Sequence, residues 1–140
     1  MPEAGDDSGR FDIIASGRST RKTMWHLPKA LREIEEAGDD CIVLELIDCF
    51  LADTASRFER LRDAIARRDA ATVKAESHSM RGSARQMGAE ALAYLCQEVE
   101  ISAPQTNWPE LEGHVNQAEV RFTEACSAMS EYATARRHAG

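Results

Sequence analysis

Apolar residues of this chain recur at helical spacing, and no stretch shows the strict alternation of a half-buried β-strand. The clearest stripe steps by four and three residues over 43–65, which predicts a long helix packed along one face. Its members are Val43, Ile47, Leu51, Thr54, Phe58, Leu61 and Ile65. A second stripe of the same kind runs over 111–132, with the members Leu111, Val115, Ala118, Phe122, Ala125, Met129 and Tyr132. Two long amphipathic helices therefore dominate the predicted fold.

Residues that start and stop helices divide the chain further. Pro28 is placed to open a short first helix that ends at Gly38, and Asp39 or Asp40 is placed to cap the second. The second helix is expected to end near Arg68. A short leading helix therefore precedes the first long one.

The later helix boundaries follow the same signals. Asp69 is a good N-cap for a third helix that runs up to Gly88, a natural C-terminal stop. A fourth helix carries apolar residues over 92–99 and ends before Pro104, and Asn107 opens the fifth. Because the connections are short, consecutive helices are expected to be antiparallel. The predicted fold is all-α: an antiparallel four-helix bundle, up-down-up-down, with a short additional N-terminal helix.

The length of 140 residues suits one domain with a modest core. Residues 1–22, rich in Gly, Asp, Ser and Arg, are predicted to be a disordered arm or linker, and residues 23–138 to form the bundle. The formal net charge of −7 argues against nucleic acid or an anionic membrane as partner. Residues 57–87 nevertheless carry eight Lys/Arg against four Asp/Glu, a net of +4. Any surface that attracts an anion is therefore expected in that segment.

The four cysteines form no C-x-x-C pair, so the sequence suggests neither a zinc site nor a disulfide framework. It also lacks a signal-peptide core and any apolar run near the ~20 residues that span a bilayer. We therefore expect a soluble cytoplasmic protein with reduced thiols, no metal site and no membrane insertion.

His78 stands out in the third helix because its neighbours on the helix surface are small or basic. At about 100° per residue, the sector opposite His78 contains Val73, Ser77, Met80, Ala84 and Met87. The positions that surround it are Ala71, Lys74, Arg81, Gly82 and Arg85. The imidazole is therefore expected to point outward.

Gly82 lies one turn after His78, where a mid-helix glycine costs about 1 kcal/mol relative to alanine. The close approach of a second macromolecule would explain that cost. Lys74, Arg81 and Arg85 give the same face positive potential, which would stabilise a phosphoryl group on a ring nitrogen and attract an acidic partner. The pattern predicts a histidine that acts as a nucleophile.

A carboxylate is expected beside His78 from the adjacent helix. If the turn between the third and fourth helices is centred near Ala89, Glu100 returns to the level of His78. It could then hold one ring N–H and leave the other nitrogen the better nucleophile: if Glu100 holds Nδ1, Nε2 is free to react. The alternative is an ordinary exposed carboxylate, because a one-residue error in helix phase turns Glu100 away.

These residues resemble a known family. The run AESHSMRGSARQMGA over 75–89, followed by Leu92-Ala93 and Leu95-Cys96, resembles the histidine-containing phosphotransfer (HPt) domain of phosphorelays. The resemblance rests on the H-x-[hydrophobic]-[Lys/Arg]-Gly-[Ser/Ala] core and on a glycine ten residues after the histidine. With the surrounding bundle it covers about residues 24–138.

The resemblance implies a role for each matching residue. His78 would be phosphorylated, Arg81 would be the nearby cation where many members carry lysine, and Gly82 would open the docking surface. Glu100 stands where kinase-associated members carry a carboxylate that binds the histidine. Ser77 departs from the small apolar residue usual before the histidine, and its hydroxyl is expected to find a backbone carbonyl.

The resemblance implies a phosphorelay carrier. His78 would accept a phosphoryl group from a receiver-domain aspartyl-phosphate and pass it to another receiver domain. The protein would have no nucleotide site and no cofactor of its own, with Mg²⁺ held by the receiver. Its partners would be response-regulator receiver domains and a sensor or hybrid histidine kinase, and we expect a monomer.

Two alternatives stay open at this point. One is a module that a histidine kinase phosphorylates directly, for which Glu100 is mild support. The other is a non-catalytic interaction bundle in which His78 is incidental.

Overall fold

The computed structural model describes residues 25–139, and within that range it contains five α-helices and no β-strand. The helices are α1 (Lys29–Glu36), α2 (Asp40–Ala66), α3 (Ala70–Gln86), α4 (Glu90–Ser102) and α5 (Trp108–Ala139), with a 3₁₀ turn at Ala103–Gln105. The predicted all-α class is confirmed. The predicted disordered arm, residues 1–22, lies outside the described residues.

The four longer helices form the bundle, and each packs on the next. α2 packs on α3, α3 on α4 and α4 on α5, and α5 closes against α2. Short connections reverse the chain direction at each step, which gives the expected up-down-up-down order. The short helix α1 packs against α2 outside this ring.

The turn that joins α3 to α4 depends on Gly88. Its φ of +76° lies in the left-handed region that favours glycine, and it ends α3 as predicted. A Cβ added at Gly88 would lie 3.1 Å from Cγ of Pro28 and 3.3 Å from the carbonyl oxygen of His26. A glycine is therefore needed here both for the backbone conformation and for the approach of the segment before α1.

The predicted caps behave differently from one helix to the next. The Asp69 carboxylate accepts a hydrogen bond from the backbone N–H of Thr72 at 3.1 Å and caps α3 as expected. Asn107 likewise accepts from the backbone N–H of Glu110 at 3.2 Å at the start of α5. Asp39 occupies the N-cap position of α2, but its side chain makes no capping hydrogen bond. The expectation of a side-chain cap there was wrong.

The core confirms the predicted stripes with two shifts, since Leu51 and Tyr132 are only half-buried and their neighbours Phe50 and Ala133 are buried instead. In α2, Leu51 is only half-buried, whereas the preceding residue Phe50 is buried and packs edge-on against Phe122, with 6.4 Å between ring centroids. Both residues fit a helical stripe between Ile47 and Thr54. Phe50 lies three residues after Ile47 and four before Thr54, and Leu51 lies four after Ile47 and three before Thr54. The larger aromatic side chain occupies the interior because α5 presents Phe122 opposite it.

Polar contacts attach α1 and the segment before it to the bundle. Glu35 accepts hydrogen bonds from the Tyr132 hydroxyl and from Nε of Arg136, the latter at 2.6 Å. The Trp25 ring packs edge-on against Tyr132 at 5.8 Å, and its Nε1 donates to the carbonyl oxygen of Met87 at 2.7 Å. The start of the described chain is therefore tied both to α5 and to the end of α3.

Across 25–139, each helix is too short or too polar to cross a lipid bilayer.

Candidate functional site

His78 lies near the middle of α3 and points to solvent, with 61% of its side chain exposed. The opposite face of α3 is buried, as the helical periodicity predicts: Val73, Ser77, Met80 and Ala84 lie inside, followed by Met87 just past the helix end. The hydroxyl of Ser77 donates to the carbonyl oxygen of Val73 at 2.8 Å, which satisfies this small buried polar group. The outward face of α3 therefore rests on a firmly packed inner face.

Glu100 of α4 lies directly beside the histidine. Its Oε2 is 2.8 Å from Nδ1 of His78, and only 16% of its side chain is exposed. The turn around Gly88 and Ala89 sets α4 antiparallel to α3, so that the two residues stand at one level, as predicted. The structure thus places a largely buried carboxylate at the Nδ1 edge of an exposed imidazole.

Arg81 completes a three-residue group. Its Nη1 lies 3.3 Å from Oε1 of Glu100, and its Nη2 lies 3.1 Å from Nδ1 of His78. Oε1 of Glu100 is buried and accepts no hydrogen bond from any residue in the described part of the chain. Arg81 is therefore the cation that faces this otherwise unpaired carboxylate oxygen.

Donor and acceptor chemistry decides which nitrogen of His78 carries the hydrogen. An ionised carboxylate only accepts hydrogen bonds, so the 2.8 Å contact with Glu100 requires a hydrogen on Nδ1 of His78. The guanidinium of Arg81 only donates hydrogen bonds, so it cannot form one with a protonated Nδ1. Its Nη2 then lies 3.1 Å from Nδ1 with no hydrogen bond between the two nitrogens. In the neutral form of an imidazole, a hydrogen on Nδ1 leaves the lone pair on Nε2.

The other two predicted cations, Lys74 and Arg85, are exposed residues of α3 that make no hydrogen bond with His78. Lys74 is exposed and forms no ion pair with the rest of residues 25–139. Nη2 of Arg85 donates to Oε1 of Gln97 in α4 at 3.0 Å, so it is bound to α4 and makes no hydrogen bond with His78. Of the three predicted cations, Arg81 alone contacts the imidazole.

Gly82 lies on the exposed side of α3, and a Cβ added there would meet nothing within 4 Å. Packing inside this bundle therefore gives no reason for a glycine at this position. Because Gly82 has no side chain, the surface next to His78 stays open at this position.

Three residues of α4 were not singled out from the sequence. Gln97 binds Arg85, and it lies between two exposed apolar side chains, Tyr94 (61% exposed) and Ile101 (55% exposed). Their spacing of three and four residues puts them on one face of α4, next to Glu100. That spacing was visible in the sequence, but their exposure follows from how α4 is rotated against its neighbours.

The positive charge of residues 57–87 is partly neutralised within the bundle. Nη1 of Arg57 lies 2.9 Å from one oxygen of Glu76, and Nε of Arg60 lies 3.1 Å from the other. These α2–α3 ion pairs account for two of the basic residues counted in the segment. Arg81 is likewise paired with Glu100, so the cations on the histidine face of α3 that form no ion pair among residues 25–139 are Lys74 and Arg85.

The fold and the site together define a helical bundle that presents an exposed histidine beside a largely buried carboxylate. The family model named Hpt domain matches residues 45–132, which is more than half of the chain. The chain belongs to the Hpt domain family, as its resemblance implied. It is thus a histidine phosphotransfer protein, a carrier of phosphorelays whose family interacts with histidine kinases and receiver domains.

A solved structure agrees with this fold. The crystal structure of histidine-containing phosphotransfer protein B (HptB) from Pseudomonas aeruginosa PAO1 matches with a TM-score of 0.71 and 24% sequence identity. The match covers 80% of this chain and 97% of that one. Comparison with curated protein sequences gives no significant match.

Proposed function

We propose that this protein relays phosphoryl groups between receiver domains through His78. The imidazole would accept the group from an aspartyl-phosphate of one receiver and deliver it to the aspartate of another. The observation that carries this proposal is the 2.8 Å contact between Nδ1 of His78 and Glu100 on a side chain that is 61% exposed, and Nε2 would be the nucleophile.

The chemistry balances without any further reactant. The Nε2 lone pair attacks phosphorus, the N–P bond forms, and the P–O bond to the aspartate breaks with its electron pair left on the carboxylate. The ring becomes positively charged as the N–P bond forms, and the carboxylate of Glu100 stabilises that charge through the Nδ1–H. Transfer to the second receiver is the reverse of this step on a new aspartate.

The surface around His78 supports docking of another protein. Gly82 leaves the approach open, and the adjacent helix α4 exposes the apolar side chains of Tyr94 and Ile101. Lys74 and Arg85 favour an acidic partner surface and act more on the rate of encounter than on affinity. In this proposal the carrier is a cytoplasmic monomer without its own nucleotide site or cofactor, and Mg²⁺ belongs to the receiver.

Phosphotransfer profiling tests the proposal. The protein is mixed with each phosphorylated receiver domain of the source organism, and labelled phosphate on this chain is followed over time. We expect label on the wild-type protein from at least one receiver and none on H78Q. Label retained on H78Q, or no transfer from any receiver, would contradict the proposal.

Direct phosphorylation by a histidine kinase is the second candidate, and Glu100 favours it, since kinase-associated family members carry a carboxylate at this position. Mixing the protein with ATP and isolated kinase catalytic domains, with every receiver omitted, separates the two routes. Label acquired only in that mixture would support the kinase-substrate module. Label in neither mixture would favour an interaction bundle in which His78 is incidental.

A further inference from the structure

We propose that residues 10–22 of this chain bind to an exposed face at the start of α2. We call this face the α2 stripe, and it consists of Asp39, Ile42, Glu45, Leu46, Cys49 and Asp53, all of which are exposed. The α2 stripe lies on a different helix from His78, and the proposal does not depend on the proposed function.

The first argument is the apolar surface that α2 exposes. Ile42 is 46% exposed and Leu46 is 39% exposed, and they lie one helical turn apart on the same side of α2. The other large apolar side chains exposed among residues 25–139 are Tyr94 and Ile101, on the helix that carries the carboxylate of the site, and Val120 on α5. Neither the core nor the histidine site therefore accounts for the apolar pair on α2.

The second argument is charge. Residues 38–56 contain five Asp/Glu and no Lys/Arg. Asp53 pairs with Arg57 at 2.9 Å, whereas Asp39 and Glu45 form no ion pair with the rest of residues 25–139. A ligand of this face should therefore combine apolar side chains with positive charge. A second copy that used the same face would bring like charges together, which opposes such a dimer.

The third argument is that the chain itself contains a segment of this composition. Residues 10–22 include Phe11, Ile13 and Ile14 and carry four Lys/Arg against one Asp, a net of +3. All four Lys/Arg of residues 1–24 fall within this segment. The segment is therefore complementary to the α2 stripe both in apolar side chains and in charge.

The fourth argument is where this segment joins the bundle. Nε1 of Trp25 donates to the carbonyl oxygen of Met87, so the described chain begins beside the end of α3. Because α2 and α3 are antiparallel, the end of α3 and the start of α2 lie at the same end of the bundle. The eleven residues from Ile14 to Trp25 span up to about 36 Å when extended, whereas the whole of α1 is only about 12 Å long. The segment is long enough to lie along the α2 stripe.

Covalent attachment makes even a weak contact effective. A short tether gives the segment an effective concentration in the millimolar range at the α2 stripe. The bound segment would cover part of α2 and leave the outward face of α3 free, so that a partner could still approach His78.

Timed alkylation of the full chain with iodoacetamide, followed by peptide mass spectrometry, tests the proposal. Cys49 belongs to the α2 stripe, whereas Cys41 is exposed about 80° around the same helix and serves as the internal control. A segment bound in two molecules of every three slows the alkylation of Cys49 about threefold. F11S/I13S/I14S should therefore raise the rate at Cys49 about threefold and leave the rate at Cys41 nearly unchanged. Cys126, which is half-buried, should remain slower than both.

Two further variants separate the contributions of the segment. P2S/A4S/G5S places three substitutions outside residues 10–22, and this matched control should keep Cys49 protected. R18S/R21S/K22S should lose much of the protection, as should the wild type in about 0.5 M NaCl, because screening weakens contacts between exposed charges. Circular dichroism establishes that each variant is folded.

Three results would overturn the proposal. Equal rates at Cys49 in the wild type and F11S/I13S/I14S would leave the α2 stripe to another protein. Full protection in R18S/R21S/K22S would show that charge does not select the segment. Protection that grows with protein concentration would indicate a second copy in place of residues 10–22. None of these results bears on phosphotransfer by His78, which receiver profiling decides separately.

Discussion

The carboxylate of Glu100 and the imidazole of His78 lie 2.8 Å apart although 22 residues separate them in the chain. The contact exists because α3 and α4 form a tight antiparallel hairpin around Gly88, which brings residues equally distant from the turn to one level. Only 16% of the Glu100 side chain is exposed, against 61% for His78. A shielded carboxyl group thus lies against an accessible imidazole, and the contact lies in a less polar environment than bulk water.

Replacing Glu100 should slow phosphoryl transfer to and from His78. E100A removes both the orientation of Nδ1–H and the charge that stabilises the positive ring, and we expect a loss of about tenfold or more. E100Q keeps an acceptor oxygen and should lose less. Rapid-quench kinetics with a phosphorylated receiver measures both variants, and an unchanged rate in E100A would show that the contact has no part in transfer.

The phosphorylated protein should carry an acid-labile, alkali-stable modification, because a phosphorus–nitrogen bond to imidazole breaks when the ring is protonated. The label is followed on protein incubated in mild acid and in alkali. Retention of the label in acid would instead indicate phosphoserine or phosphothreonine.

Substituting Gly82 should separate stability from transfer. G82A removes a mid-helix glycine where an added Cβ meets nothing within 4 Å, so the free energy of unfolding should rise by up to about 1 kcal/mol. Transfer should nevertheless slow, because the new methyl group projects from the surface that a receiver must approach.

G113A provides the matched control for this experiment. Gly113 lies within α5, and an added Cβ there also meets nothing within 4 Å. We expect G113A to stabilise the protein similarly and to leave the transfer rate unchanged. Equal rates in G82A and the wild type would show that Gly82 is not needed for docking.

The contact between α1 and α5 should make the free energy of unfolding decrease as the pH is lowered into the acid range. Hydrogen bonds from Arg136 and then from Tyr132 lower the pKa of Glu35 below its ordinary value of 4.5. A carboxyl group whose pKa is lowered by folding stabilises the fold above its unfolded value, and that contribution is lost as pH falls through the folded value. At neutral pH, E35Q should therefore be less stable than the wild type by about 1 kcal/mol.

Chemical denaturation across the acid range measures this effect. The difference between E35Q and the wild type should shrink as pH falls below 4.5, the ordinary pKa of this carboxyl group, and vanish once it is protonated in both states. E112Q, at an exposed glutamate of α5, is the control and should show no such trend. A difference that stays constant with pH would mean that the carboxylate charge does not hold α1 in place.

The four cysteines should differ sharply in reactivity. Burial raises the pKa of the Cys96 thiol to about 12 and also raises the pKa of Cys126, whereas Cys41 and Cys49 are exposed. Since the thiolate is the reactive form, Cys41 and Cys49 should be alkylated first, Cys126 later and Cys96 last. Peptide mass spectrometry after timed alkylation gives the order, with denatured protein as the control in which all four react. Early modification of Cys96 in the folded protein would contradict the packing of α4.

Much of the site was predictable because it depends on one helix and one turn. The buried face of α3 follows from helical periodicity, and the same periodicity turns His78 outward. The level of Glu100 follows from the position of the turn, which Gly88 marks in the sequence. Both inferences use local geometry that varies little from one helix to another.

Interactions between long side chains were harder to predict from the sequence. The sequence indicates that Arg81 lies on the histidine face, but its pairing with Glu100 depends on side-chain rotamers and on the distance between helices. The same holds for Arg85, which binds Gln97, and for Arg57, which binds Glu76 and so lowers the local positive charge. A count of charges along the chain does not reveal these pairings.

The sequence by itself therefore determined the helices, their order and the exposed position of His78, because periodicity and capping act over a few residues. Only the tertiary structure decided that Phe50 and not Leu51 enters the core, that Glu100 is shielded, and that Arg81 faces its second oxygen. These features depend on how helices are rotated and spaced against one another. That rotation is set by the packing of the whole bundle, which no local stretch of sequence specifies.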